Sequence, residues 1–204
     1  MFDKLYKYLV RDIIEKNKKY IAFSSILFVV AIISGIIKAS DGHMPMLMQE
    51  VVENFLRMAE SPASSLQIAI SIFFNNIKSV FFAVVFGCFL GIVPIVSIWS
   101  NGQIIGMIAK YVQVNLGIPI FKTFLSLFPH CILEFPAFII CVSVTLKTGL
   151  IMIMCLFRKQ SWNVFFNSFM ESLIIMVLIV LPLFLIAALM EGFISPIILG
   201  LLIR

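Results

Sequence analysis

The chain has 204 residues and a formal net charge of +5, with 62% hydrophobic side chains and only 12% charged ones. Soluble domains carry about a quarter charged residues, so this chain cannot cover itself in water, and its mean hydropathy of +1.12 assigns most of its surface to a bilayer. A nucleic-acid partner is excluded, because no basic stripe is interleaved with exposed aromatics.

The opening nineteen residues hold Lys4, Lys7, Arg11, Lys16, Lys18 and Lys19. Phe2, Leu5, Tyr6, Leu9, Val10, Ile13 and Ile14 share one face. Residues 1–19 therefore predict a basic amphipathic helix at an anionic inner leaflet, either as an elbow for the first span or with a role of its own. No small-residue cleavage site follows, so the next apolar run, Tyr20–Ile37, reads as an anchor and not a removed signal.

Residues 38–66 read as an extracytoplasmic loop. Within "MPMLMQEVVENFLRMAES", Leu47, Met48, Val51, Val52, Phe55, Leu56 and Ala59 form one face and Gln49, Glu50, Glu53, Arg57 and Glu60 the other. This amphipathic helix either rests on the membrane surface or docks a partner through Val51, Phe55 and Leu56.

Four more spans are expected at Ser79–Ile98, Gln103–Phe121, Thr123–Phe157 and Ser168–Met190, since a crossing needs about 20 mostly apolar residues. Lys110, Gln113 and Asn115 interrupt the third, and Gly117 and Pro119 break its end. The fourth is too long for one straight crossing and carries Pro129 and Pro136, which predicts a kinked or broken helix. The closing "FISPIILGLLIR" is too short to cross. The fold class is thus all-α: a polytopic transmembrane bundle of about five spans in one membrane domain, 1–204.

Arg158 and Lys159 follow the fourth span, whereas 38–66 balances Lys38 and Arg57 against Asp41, Glu50, Glu53 and Glu60. The positive-inside bias places the N-terminus in the cytoplasm and the C-terminus outside a multi-pass cell-membrane protein. Cys88, Cys131, Cys141 and Cys155 sit in apolar runs as small fillers.

Gly87 with Gly91 and Gly102 with Gly106 are two small-xxx-small pairs that let helix backbones approach. With the Asn101-Gly102 turn signal they predict a tight hairpin of spans two and three, closed at the inner face. The competing use is a dimer interface, and so a homo-oligomer. Asn75 and Asn76 would stand at the outer start of span two, and Glu191 near the outer end of span five.

His130 and Glu134 lie one turn apart on span four. The expected arrangement is a buried polar cluster of Asn75, Asn76, Asn101, Lys110, His130, Glu134 and Glu191, with a Lys110–Glu134 contact and His130 sharing the carboxylate's proton. Such a cluster either lines a cavity or fastens helices together. It does not make a zinc enzyme. His130 and Glu134 supply two ligands where a catalytic zinc takes three, and the other histidine, His43, is in the loop. With no phosphate loop or Ser-His-Asp set, the chain reads as a non-enzyme without metal or cofactor.

These elements resemble the stage II sporulation protein M family of bacterial and archaeal membrane proteins: Asn75-Asn76, Gly87 and Gly91, Asn101-Gly102 with Gly106, Gly117, Pro129-His130, Glu134, Pro136-Ala137 and "EGFISP". The resemblance covers residues 70–196. Cys131 stands where the pattern has glycine, and Phe135 where it has leucine. It implies an integral membrane protein without catalytic activity, of the kind that gathers peptidoglycan-degrading partners during engulfment. It also implies relatives in circular-bacteriocin gene clusters, beside an ATPase.

Two functions follow. One is a scaffold or assembly factor for envelope or secretion machinery, whose expected partner is a wall hydrolase; an ATPase subunit as partner belongs to the other. The other is a permease-like subunit in which Lys110, His130 and Glu134 line a path for a peptide or lipid-linked substrate, driven by a separate ATPase or a proton gradient.

Overall fold

The computed structural model describes residues 2–39, 65–126 and 130–193. Among them there is no strand. The order is α1 (Phe2–Lys38), α2 (Ser65–Gly87), α3 (Ile92–Leu116), α4 (Ile120–Ser126), a π-helical turn (His130–Glu134), α5 (Phe135–Leu156), α6 (Trp162–Ile175), a second π-helical turn (Met176–Val180) and α7 (Leu181–Phe193). Among the described residues, five stretches are long and apolar enough to cross a membrane: Arg11–Lys38, Ser65–Gly87, Ile92–Asn115, Ile132–Leu156 and Trp162–Phe193. Large apolar side chains such as Phe23, Ile26, Phe74, Phe86 and Phe166 point outward, as a lipid solvent permits. The molecule is an all-α polytopic membrane bundle. The loop helix expected within 38–66, with Val51, Phe55 and Leu56, and the closing run 194–204 lie outside the described residues.

The first correction concerns α1. The sequence reading separates an amphipathic helix from the first span, but the two are one helix of 37 residues. No proline or glycine stands between Phe2 and Ser34 to break it. An exposed Arg11–Glu15 pair at 2.8 Å supports the extramembrane turns.

The second correction moves the hairpin. Asn101-Gly102 lies inside α3, and α2 instead ends at Gly87. The reversal is Cys88–Gly91, where Leu90 and Gly91 have φ of 62° and 69°. Glycine takes that conformation freely, and the chain turns at the second glycine of the first Gly-x-x-x-Gly pair. Span two therefore runs over 65–87, not 79–98, and span three over 92–115.

Small residues decide which helices touch. α1 and α3 run parallel in register: a Cβ on Gly102 would fall 2.8 Å from the Phe28 carbonyl oxygen, and one on Gly106 would collide with the Ile32 backbone. The Gly102 and Gly106 pair therefore joins α3 to α1 and not to α2. With its amide oxygen turned inward, Gln103 accepts from Ser34 Oγ and Lys38 Nζ, both at 3.0 Å, and from Trp99 Nε1 at 3.2 Å. Gly149 of α5 lies against the backbone of Gly91, and a Cβ on Gly87 would meet Thr145 and Pro94 at 2.8 Å. These contacts seat the α2–α3 turn on α5.

α5 is the central helix, packed against α1, α2, α3 and α6. It runs antiparallel to α6 along a polar seam. Lys147 Nζ meets Glu171 Oε2 at 2.8 Å, and Thr148 Oγ1 lies 2.8 Å from Ser168 Oγ.

Span four is distorted at its start: a π-helical turn, His130–Glu134, leads directly into α5 at Phe135, and residues 127–129, with Pro129, lie outside the described residues. Each π-turn ends two residues before a proline, Pro136 or Pro182. A proline cannot donate to the carbonyl four residues back and crowds it, and a widened turn relieves that clash.

Candidate functional site: a polar recess at the bundle midplane

The polar residues of α2, α3 and the first π-turn meet in one place. Asn76 is the middle residue of α2, about 16 Å from either end by helical rise, and so near the centre of a hydrocarbon core about 30 Å thick. Its Nδ2 donates to Glu134 Oε2 at 2.6 Å. Glu134, the last residue of the first π-turn, is only 2% exposed. α2 and α5 run parallel with a constant offset, since Asn76 faces Glu134 and, eleven residues on in both, Gly87 faces Thr145.

A small recess of about 30 Å³ opens beside this pair, lined by Phe28, Asn76, Ser79, Asn101, Glu134, Phe138 and Phe184 among others. Asn101, whose Nδ2 donates to the carbonyl of Ser97 at 2.8 Å, is part of this lining. Phe28 and Phe135 make an edge contact at 5.2 Å between centroids. The lining of the recess combines polar side chains with the rings of Phe28, Phe135, Phe138 and Phe184.

The structure thus brings together Asn76, Asn101 and Glu134 of the expected cluster. It does not bring Lys110, which donates to Gln113 at 3.0 Å on its own helix. The expected Lys110–Glu134 contact is corrected: Lys110 lies about two and a half turns beyond Asn101 on α3, and an amide from α2 takes its place. Asn75 points out of the bundle, and Glu191 is half-buried in the last turns of α7. The two asparagines sit mid-span and not at an outer start. The backbone of His130 belongs to the π-turn, and its side chain lies outside the described residues. Among the described residues, no three His, Cys, Asp or Glu side chains gather as a metal site would need.

Sequence reading passed over a second polar tie, Lys147–Glu171 with Thr148, Ser168 and Ser172. The signal was present, since a lysine and a glutamate stood inside predicted spans four and five. Their pairing became visible only once α5 and α6 were aligned.

Compared with known protein families, residues 24–196 match the one described as Stage II sporulation protein M. The match begins in α1, well before the 70–196 core. No curated protein and no solved structure matches the chain.

Proposed function

Because the chain belongs to the stage II sporulation protein M family, we propose that it is a non-enzymatic membrane scaffold, an assembly factor for envelope or secretion machinery. The observation that supports this is the Asn76–Glu134 bond. The buried carboxylate of Glu134 is held by a neighbouring helix, in a recess of about 30 Å³, far below the size of small-ligand sites. Polar groups used this way fasten a bundle, and leave partner binding to its outer faces. Copurification in mild detergent from the native host tests the reading: a wall hydrolase or other envelope protein retained by the wild-type chain supports it, and isolation of the chain alone opposes it.

One observation favours a second reading, a permease-like subunit for a peptide or lipid-linked substrate. The π-helical turn before α5 places an ionisable group mid-membrane, and transport sites use irregular helices with such groups. Glu134→Gln separates the two. As a scaffold the variant keeps full activity when folded. As a permease it stays folded, keeps its partners and loses activity.

The N-terminus is assigned to the cytoplasm. Basic residues at the start of α1 and Arg158-Lys159 in the α5–α6 turn lie at the same end of the five-crossing bundle, and the positive-inside bias places that end inside.

A further inference from the structure

α2 carries polar groups on a second face, turned away from the other helices. Ser71, Asn75 and Lys78 are spaced i, i+4 and i+7, and all three are exposed. Phe74, Phe81 and Phe82 flank them, also outward. Among the described residues, neither Asn75 nor Lys78 makes a hydrogen bond or ion pair.

Lys78 lies about 13 Å from the Gly87 end of α2 and about 20 Å from Ser65 by helical rise. A charge so deep in a span is costly when it faces lipid. Lysines often escape by snorkelling to the nearer interface. Here that interface lies at the Gly87 end, whereas helical Cα–Cβ bonds tilt toward the N-terminus, so the stem leaves the backbone in the wrong direction. The face is too polar for acyl chains.

Charge complementarity selects the occupant. An ammonium beside two amide and hydroxyl groups calls for a carboxylate, and the flanking phenylalanines call for an apolar helix around it. A second copy of this chain would set Lys78 against Lys78. It has no carboxylate to answer with among the described residues: Glu134 is buried, and Glu171 is paired with Lys147. Asp12 and Glu15 are paired with Lys16 and Arg11 near the start of α1, and Glu191 is in the last turns of α7.

We propose that the Ser71–Asn75–Lys78 face of α2 docks a transmembrane helix of another protein that carries an aspartate or glutamate within its apolar run. The inference rests on the scaffold reading and gives its partner a chemistry.

The test uses the full chain in phosphatidylcholine vesicles. Labelled leucine-rich helices of about 20 residues carry glutamate, leucine or lysine at their centre, and binding is read by energy transfer. The wild-type chain should bind the glutamate helix about three- to thirtyfold more tightly than the leucine helix, the range of single polar contacts in membranes. Lys78→Met should remove the difference, and Lys78→Glu should shift preference to the lysine helix. Equal binding of the glutamate and leucine helices by the wild type overturns the proposal. So does cross-linking of an Asn75→Cys variant to a second copy or to residues 40–64 of its own chain. If partners copurify from the host equally well with Lys78→Met, the docking site falls and the scaffold stands; if nothing copurifies with the wild type, the scaffold falls.

Discussion

Glu134 can stay in hydrocarbon because Asn76 reaches it across the α2–α5 contact. Removing the donor is worse than replacing the acceptor. Asn76→Ala leaves a buried carboxylate without that amide and should lower stability by about 1–3 kcal/mol; Glu134→Gln keeps a hydrogen-bonding side chain and should cost less. Thermal melts of both variants in one detergent check the order, and a larger loss for Glu134→Gln would contradict it. At Cys88, 3% exposed in the α2–α3 turn, burial pushes the thiol up to about 11. At pH 7 the folded protein should leave it unalkylated by a maleimide, while the denatured chain reacts. The importance of Glu134 was legible in the sequence from its apolar setting. Its partner was not, because the nearest opposite charge, Lys110, looked the better match until the register of α2 was known.

At the scale of helices, glycines set the distances and the turns. A methyl group on Gly106 runs into the Ile32 backbone, which cannot swing aside, whereas one on Gly117 meets nothing within 4 Å. Gly106→Ala should cost about 1–3 kcal/mol through overpacking of α1 on α3. Gly117→Ala should cost about 1–2 kcal/mol, through its φ of +68° alone. Unfolding midpoints of the two variants, with chromatography to show whether the bundle stays monodisperse, distinguish a helix forced apart from a strained cap. The sequence marked the right glycines but misassigned their neighbours. Cys88, Phe89 and Leu90 make the true turn from apolar residues, and a hydropathy window reads straight through them. Asn101-Gly102 offers turn chemistry, yet it lies mid-helix against α1.

For the molecule as a whole, composition and the number of apolar runs sufficed for a five-crossing bundle, and the prolines pointed to an irregular fourth span. The depths of the polar groups did not follow, because each depended on where its helix began. Five crossings put the start of α1, the Cys88–Gly91 turn and the Arg158-Lys159 turn on one side, and Gly117 with the start of α2 on the other. Gly117→Cys and Lys159→Cys variants, probed with an impermeant reagent on intact cells, should label only at 117; the reverse pattern would invert the topology. All of this depends on α2 crossing the membrane between Ser65 and Gly87. A spin label on a Lys78→Cys variant in lipid vesicles measures that directly. Its accessibility to oxygen against a polar relaxant should place it deep in the hydrocarbon, within a few ångströms of the midplane. A headgroup-level position would return Lys78 to the edge of a span starting at Ser79 and contradict both the recess and the docking face.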